Sequence, residues 1–221
     1  GVAIKSSFED EGQTPSNLAK LNMACAATGL ERYLKIGGCE AKTDIALANA
    51  AGATAIVAPM VETGYAASKF SKCPVGGERG ITIETTTAIA NIHEIIDGCD
   101  GLDFIVIGRC DLLGSMGLDR SQINSPAVFD LIAGALTRAR AAKPGLRIGV
   151  GGGISVESQE FVEKLHSRGL LDFIETRHVA YPVAVSLADY GECCHLASLF
   201  ETAWLGEQER ELRSKCDAAH I

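Results

Sequence analysis

The feature that most constrains this chain is a repeated exchange of period. Short apolar runs suited to buried strands alternate with stretches of helical spacing, and no low-complexity linker or shift of composition divides them. Strands are predicted over 2–6, 33–37, 55–59, 81–84, 104–108, 147–151 and 172–176. Helices are predicted over 15–28, 41–51, 64–71, 87–97, 126–143 and 156–168. Gly29, Gly52, Gly98 and Gly169 follow four of those helices, where a chain leaving a helix takes up a left-handed conformation. Seven βα units leave two solutions: an open doubly wound sheet, or a TIM-type (β/α)8 barrel with one strand unseen. The open dinucleotide-binding sheet wants a glycine-rich turn after its first strand. Here Ser6-Ser7-Phe8-Glu9-Asp10-Glu11-Gly12 is an acidic turn that repels a pyrophosphate. The visible strands end in polar or glycine residues, as the catalytic rim of a barrel requires. The expected fold class is therefore α/β, a parallel (β/α)8 barrel forming a single domain over 1–221. Its first βα unit is expected upstream of Gly1, and a helical extension over 187–215.

Composition removes several functional classes. Acidic residues outnumber basic ones by 28 to 20, for a formal charge of −8 with no basic run, so nucleic acid is not an expected partner. The longest apolar stretches, such as 55–61, are far too short to span a bilayer, so no membrane association is expected either. None of the eight cysteines stands in C-x-x-C spacing, and Cys193 adjoins Cys194, which favours free thiols in a reducing, cytoplasmic setting.

Two strands end in carboxylates: Ile81-Thr82-Ile83-Glu84-Thr85, and Ile105-Val106-Ile107-Gly108-Arg109-Cys110-Asp111-Leu112. On adjacent staves Glu84 and Asp111 would converge at one rim as hard oxygen ligands with positions left for water and substrate, which suits Mg2+ or Mn2+. The alternative is that Glu84 caps the helix that follows and Asp111 opens a turn. Glu175, Arg177 and His178 stand at another strand end, where Arg177 could bind an anion and Glu175 or His178 move a proton; a Glu175–Arg177 ion pair closing the rim is the other reading. His93, His166 and His195 fall on helices, and His220 at the terminus. Gly151, Gly152 and Gly153 lead from a strand into a helix, either as an anion site of backbone N–H groups or as a tight turn needing positive φ.

These stretches resemble the HpcH/HpaI aldolase and citrate lyase β-subunit family. The matching pieces, in the family's order, are Leu34-Lys35-Ile36-Gly37, Ile56-Val57-Ala58-Pro59-Met60-Val61-Glu62, Gly76-Gly77-Glu78-Arg79-Gly80, Ile83-Glu84-Thr85 and Ile107-Gly108-Arg109-Cys110-Asp111-Leu112. The resemblance spans roughly residues 2–177. It implies an oligomeric barrel that binds a divalent metal through Glu84 and Asp111 and makes or cleaves carbon–carbon bonds beside a 2-oxo acid or an acyl thioester. Two departures stand out. Lys35 occupies the place of the family's usual strand-end arginine and offers a carboxylate a point charge in place of a guanidinium fork. The aldolase branch's Glu-His pair is absent, with Glu9-Asp10-Glu11 in its place, so the proton-transfer residue does not carry over.

The expected activity is thus a metal-dependent carbon–carbon lyase or aldolase on a 2-oxo acid, with Lys35 and Arg79 binding substrate. The rivals are a Schiff-base aldolase using Lys35 or Lys5 and a non-catalytic barrel serving as a binding or assembly subunit. Leu196, Leu199, Phe200, Ala203 and Trp204 form one helical stripe that must cover either the chain's own barrel or a neighbour; a homo-oligomer with this helix in the contact is expected.

Overall fold

Eight strands close into a barrel in the order β1 to β8: β1 Ala3–Ser7, β2 Glu31–Lys35, β3 Ala55–Ala58, β4 Glu78–Ile83, β5 Leu102–Gly108, β6 Arg147–Gly151, β7 Phe173–Glu175 and β8 Val179–Pro182. This computed structural model describes residues 1–218, so His220 lies outside the described residues. All seven predicted strands form, and β1 to β7 pair in parallel. The eighth corrects the expectation. It is not supplied from upstream of Gly1 but by Val179–Pro182, which turns back directly from β7 and runs antiparallel to both β7 and β1.

The strand period of two divides the side chains into an outer and an inner set. Outward residues such as Ile56, Ile81, Ile83, Ile105, Ile107 and Ile148 pack against the surrounding helices in one continuous core. Inward residues Ala3, Tyr33, Ala55, Val57, Phe104, Val106, Phe173 and Ala180 fill the barrel itself. Phe104 is its centre, stacked on Tyr33 with ring centroids 5.3 Å apart and meeting Phe173 edge-on at 5.7 Å. Two glycines leave room for those rings: a Cβ on Gly80 would stand 2.3 Å from Phe104, and one on Gly149 would stand 2.4 Å from Phe173.

Helix starts follow the capping rules. Thr14, Thr63, Thr85 and Ser125 each accept a hydrogen bond from a backbone N–H of the first turn. The C-terminal helix Tyr190–Ala218 buries Tyr190, Cys193, Ala197 and Trp204 against the chain's own core, with Phe200 partly buried beside them. Trp204 is therefore taken up by the chain's own core and Phe200 in part, whereas Leu196 and Leu199, from the same predicted stripe, stay exposed. Among the described residues no helix is long and apolar enough to cross a membrane.

Gly149→Ala is expected to lower stability by about 1–3 kcal/mol, because the added methyl meets an aromatic ring that cannot swing away in a filled barrel. Urea denaturation of the variant and the parent protein measures it; equal midpoints would show that the interior is looser than the ring contacts imply.

Candidate active site

The mouth of the barrel is built from the inner layer extended by one step. Two residues beyond Ala3 stands Lys5, beyond Tyr33 stands Lys35, beyond Gly80 stands Thr82 and then Glu84, and beyond Phe173 stands Glu175. By strand period each points inward, and together with Asp10, Asp111 and the glycines at 151–153 they line a cavity of about 410 Å3.

Glu84 is buried, at 6% exposure. It does not cap the following helix, because Thr85 does so. Its Oε2 accepts from the Thr82 hydroxyl at 2.6 Å and from the Met60 backbone N–H at 3.1 Å. Met60 holds a φ of 53°, strained for a side chain of its size, to bring that N–H to the carboxylate. On the neighbouring strand Gly108 supplies a cradle, since a Cβ there would lie 2.6 Å from Glu84 Cγ and 2.7 Å from Oε1. Asp111 opens no simple turn. It sits in the first turn of the helix Arg109–Met116 that follows β5, exposed on the cavity, where the helix dipole favours its charge. Among the described residues no three His, Cys, Asp or Glu side chains gather into a complete metal cage. Two carboxylates beside open space are a donor set suited to a hard divalent cation that keeps places for water and a bidentate oxygen ligand.

Both lysines of the cavity are paired. Lys35 forms an ion pair with Asp10 in the helical turn Phe8–Glu11, so the acidic turn after β1 docks the lysine. Burial works against the Lys35 charge, but the Asp10 hydrogen bond and the nearby charges of Glu84 and Asp111 prevail and hold its pKa above the ordinary lysine value. The Lys35 hydrogen bond in turn lowers the pKa of Asp10. Lys5 Nζ lies 2.5 Å from Glu175 Oε2, and Glu175 Oε1 is buried without a hydrogen-bond partner among the described residues. Glu175 and Arg177 do not pair as one reading held. β7 ends at Glu175, and Arg177, in the turn beyond, stands 3.6 Å from Glu201 of the C-terminal helix.

Two predicted residues lie elsewhere. Arg79 is near the start of β4, at the opposite end from the cavity and with outward parity; its guanidinium donates to the Cys73 carbonyl, which corrects its assignment to substrate. His178 is sealed between β1 and the C-terminal helix at 1% exposure, with Nδ1 3.3 Å from Glu11 Oε1 and 3.4 Å from the Lys5 carbonyl, and its ring 6.3 Å from that of Phe200. It does not line the cavity, which corrects its catalytic reading.

The glycine turn answers to Arg109, which the sequence reading left without a role. This fully buried guanidinium donates to the carbonyls of Gly151, Gly152 and Gly153, to Asn124 Oδ1 and to the Ser158 hydroxyl, and lies over the Phe161 ring at 4.9 Å. Burial without a carboxylate partner lowers its pKa to about 10. Gly152 and Gly153 have φ of 76° and 62°, and a Cβ on Gly152 would meet the Cys110 nitrogen at 2.7 Å. The turn follows β6, so the analogy with barrel phosphate sites, which belong after strands seven and eight, does not apply. Arg120, also unassigned from the sequence, lines the cavity from the short 3-10 helix Arg120–Gln122.

The sequence profile of the HpcH/HpaI aldolase/citrate lyase family matches residues 16–146, more than half of the chain. No curated protein sequence matches it. Among solved structures, an HpcH/HpaI aldolase/citrate lyase family protein from Burkholderia cenocepacia J2315 superimposes with a TM-score of 0.66 at 17% identity, covering 93% of this chain and 85% of that one. Macrophomate synthase gives 0.63 at 16% identity, covering 93% and 77%. The citrate lyase β subunit from M. tuberculosis, complexed with oxaloacetate and magnesium, gives 0.55 at 17% identity, covering 79% and 80%. These likenesses show the fold, and the family profile shows the kinship: the chain belongs to the HpcH/HpaI aldolase/citrate lyase family.

Proposed function

We propose that this protein is a divalent-metal-dependent carbon–carbon lyase or aldolase acting on a 2-oxo acid of the pyruvate or oxaloacetate type, with Glu84 and Asp111 as the ligands of Mg2+ or Mn2+. The observation that carries the reading is the fixed carboxylate of Glu84, cradled by Gly108 and oriented by Thr82 and Met60, on the stave beside Asp111. A cation bound there would supply positive charge against the oxygen that turns negative when the bond beside the 2-oxo group breaks or forms. Lys35, held by Asp10 at the mouth, offers a point charge to the substrate carboxylate. Glu175 has one oxygen engaged by Lys5 and the other unpartnered, and it is the group on the cavity wall assigned to move a proton. The magnesium and oxaloacetate named with the M. tuberculosis citrate lyase β subunit support the same ligand chemistry.

The Schiff-base alternative needs a neutral amine. Lys35 and Lys5 are each tied into an ion pair with a carboxylate, which leaves neither amine free to approach a carbonyl without breaking that contact. We also assign the protein to the cytoplasm, on its free thiols, and to a homo-oligomer, on the exposed leucines Leu196, Leu199, Leu205 and Leu212 of the C-terminal helix.

Glu84→Ala and Asp111→Ala are each expected to weaken Mg2+ or Mn2+ binding by at least about tenfold in calorimetry, the loss of one charged ligand, with circular dichroism unchanged. Undiminished affinity in both variants refutes the ligand assignment. EDTA is expected to abolish pyruvate-dependent aldol turnover, and borohydride with pyruvate to add no mass to Lys5 or Lys35. Activity that survives EDTA together with a reduced adduct on either lysine establishes the Schiff-base route, and a metal-binding protein without turnover on any 2-oxo acid is the non-catalytic barrel. Light scattering is expected to give a multiple of the chain mass, and Leu199→Glu to lower it; a wild-type monomer at micromolar concentration refutes the assembly.

A further inference from the structure

His178 stands where β1 meets the hairpin that joins β7 to β8, and the ion pair of Lys5 with Glu175 is divided between those two pieces. Lys5 belongs to β1, and Glu175 ends β7. The ladder between β1 and β8 pairs Ala3 with Ala180 and Ile4 with Val179, and the hairpin turns away after that. Lys5 is the next residue along, and His178 takes up its backbone at both polar groups. The Lys5 N–H donates to the His178 carbonyl at 2.7 Å, and the Lys5 carbonyl lies 3.4 Å from His178 Nδ1. Glu11 Oε1 lies 3.3 Å from the same ring nitrogen. Both oxygens are acceptors, so Nδ1 carries a hydrogen and donates to them. Nε2 is buried with no partner among the described residues, so the ring is oriented through Nδ1 and through its edge-to-face contact with Phe200.

The pieces on either side of this ring hold themselves together without it. In the hairpin, the Thr176 N–H donates to the Val179 carbonyl at 2.9 Å and the Val179 N–H to the Thr176 hydroxyl at 3.1 Å. In the acidic turn, the Ser7 hydroxyl accepts from the Asp10 N–H, and Glu11 Oε2 accepts from the Ser7 N–H and the Gln13 amide. What the imidazole adds is the bond to the Lys5 carbonyl, a strand group that the ladder with β8 leaves behind. The side chain of that same residue places its ammonium 2.5 Å from Glu175 Oε2.

We propose that His178 is a positioning residue for proton transfer: its Nδ1–H fixes the Lys5 peptide, and Lys5 in turn holds the Glu175 carboxylate in one orientation with Oε1 free to take or return a proton. This rests on the reading that Glu175 moves the proton of a 2-oxo acid. His178 does not line the cavity, so it acts through Lys5 and never on the substrate. Proton transfer needs its two heavy atoms within about 3.2 Å, and a displacement of about 1 Å in a reacting group costs about a hundredfold in rate. Glu84 and Asp111 stand across the barrel after β4 and β5, so binding of the metal and of the acid does not depend on this link.

Exchange of the pyruvate methyl hydrogens in D2O with Mg2+ tests this by NMR. Glu175 takes a C3 hydrogen as a proton, the enolate keeps the electron pair, and a deuteron from solvent goes back to C3. His178→Leu, which keeps the volume but loses the donor, is expected to slow exchange about tenfold or more. Calorimetry should find its affinities for Mg2+ and pyruvate within about twofold of the parent protein's. His178→Asn, whose amide nitrogen can stand in the place of Nδ1, is expected to recover most of the rate. His178→Gln, with its amide one bond farther out, is not. A merely structural role would lower exchange, binding and thermal midpoint together, with Asn and Gln alike. If folded His178→Leu or His178→Gln exchanges at the parent rate, or if neither variant folds, the positioning role is refuted and the lyase reading stands. Glu175→Gln separates the two layers. If it exchanges as fast as the parent, or if the parent binds pyruvate without exchanging it, the assignment of Glu175 falls and takes this inference with it.

Discussion

A buried guanidinium without a carboxylate partner sets the shape of the whole mouth of the barrel. Arg109 carries five donors in a rigid fork, and a fold that buries it must bring acceptors to meet them. It does so with three successive carbonyls of the turn after β6, an arrangement that only a run of glycines can adopt with Gly152 and Gly153 at positive φ. The same side chain then reaches Asn124 and Ser158, so the segment after β5 and the start of the helical region after β6 become one piece. Asp111 and Arg120 both lie on that piece. The glycine run and the arginine of Gly108-Arg109-Cys110-Asp111 are two halves of a single device, and a lysine could not replace the second half.

Strand period explains why so much of the site was legible in the sequence. Once the strands are placed, a step of two along the inward row leads from Tyr33 to Lys35, from Thr82 to Glu84 and from Phe173 to Glu175. What escaped depended on contacts with no sequence period. β8 is four residues long, ends in Pro182 and follows β7 with no helix between, so nothing in its spacing distinguishes it from a loop. Arg79 stands among glycines and reads as a loop residue, but β4 begins at Glu78 and parity turns Arg79 away from the cavity. The left-handed backbone of Met60 has no signal in its residue type, because it is imposed by the carboxylate it serves. The C-terminal stripe was seen, but the helix is rotated so that Trp204 faces inward and Leu199 outward, a choice made by the barrel surface it covers.

The acidic turn after β1 shows how one stretch can serve several neighbours. In the sequence it only argues against a pyrophosphate. In the folded chain Asp10 holds Lys35 at the mouth, and Glu11 faces His178 while also accepting from the Ser7 backbone and the Gln13 amide. Three staves are thereby tied together at the rim by side chains rather than by ladder bonds, which stiffens the edge of a cavity whose floor is aromatic.

The antiparallel β8 has a consequence for the order in which the barrel is assembled. Its pairing with β1 joins Ala3 to Ala180 and Ile4 to Val179, contacts that close almost the whole chain into a loop. During synthesis the earlier βα units can pack against one another as they emerge, but the first stave keeps an open edge until the last one has left the ribosome. Because β8 is delivered by a hairpin from β7 and not by a helical crossover, that edge is covered in one short step once β7 docks. The interval in which β1 stands unpaired on one side is therefore set by translation, and a chaperone bound to the nascent chain would find an open strand edge on β1.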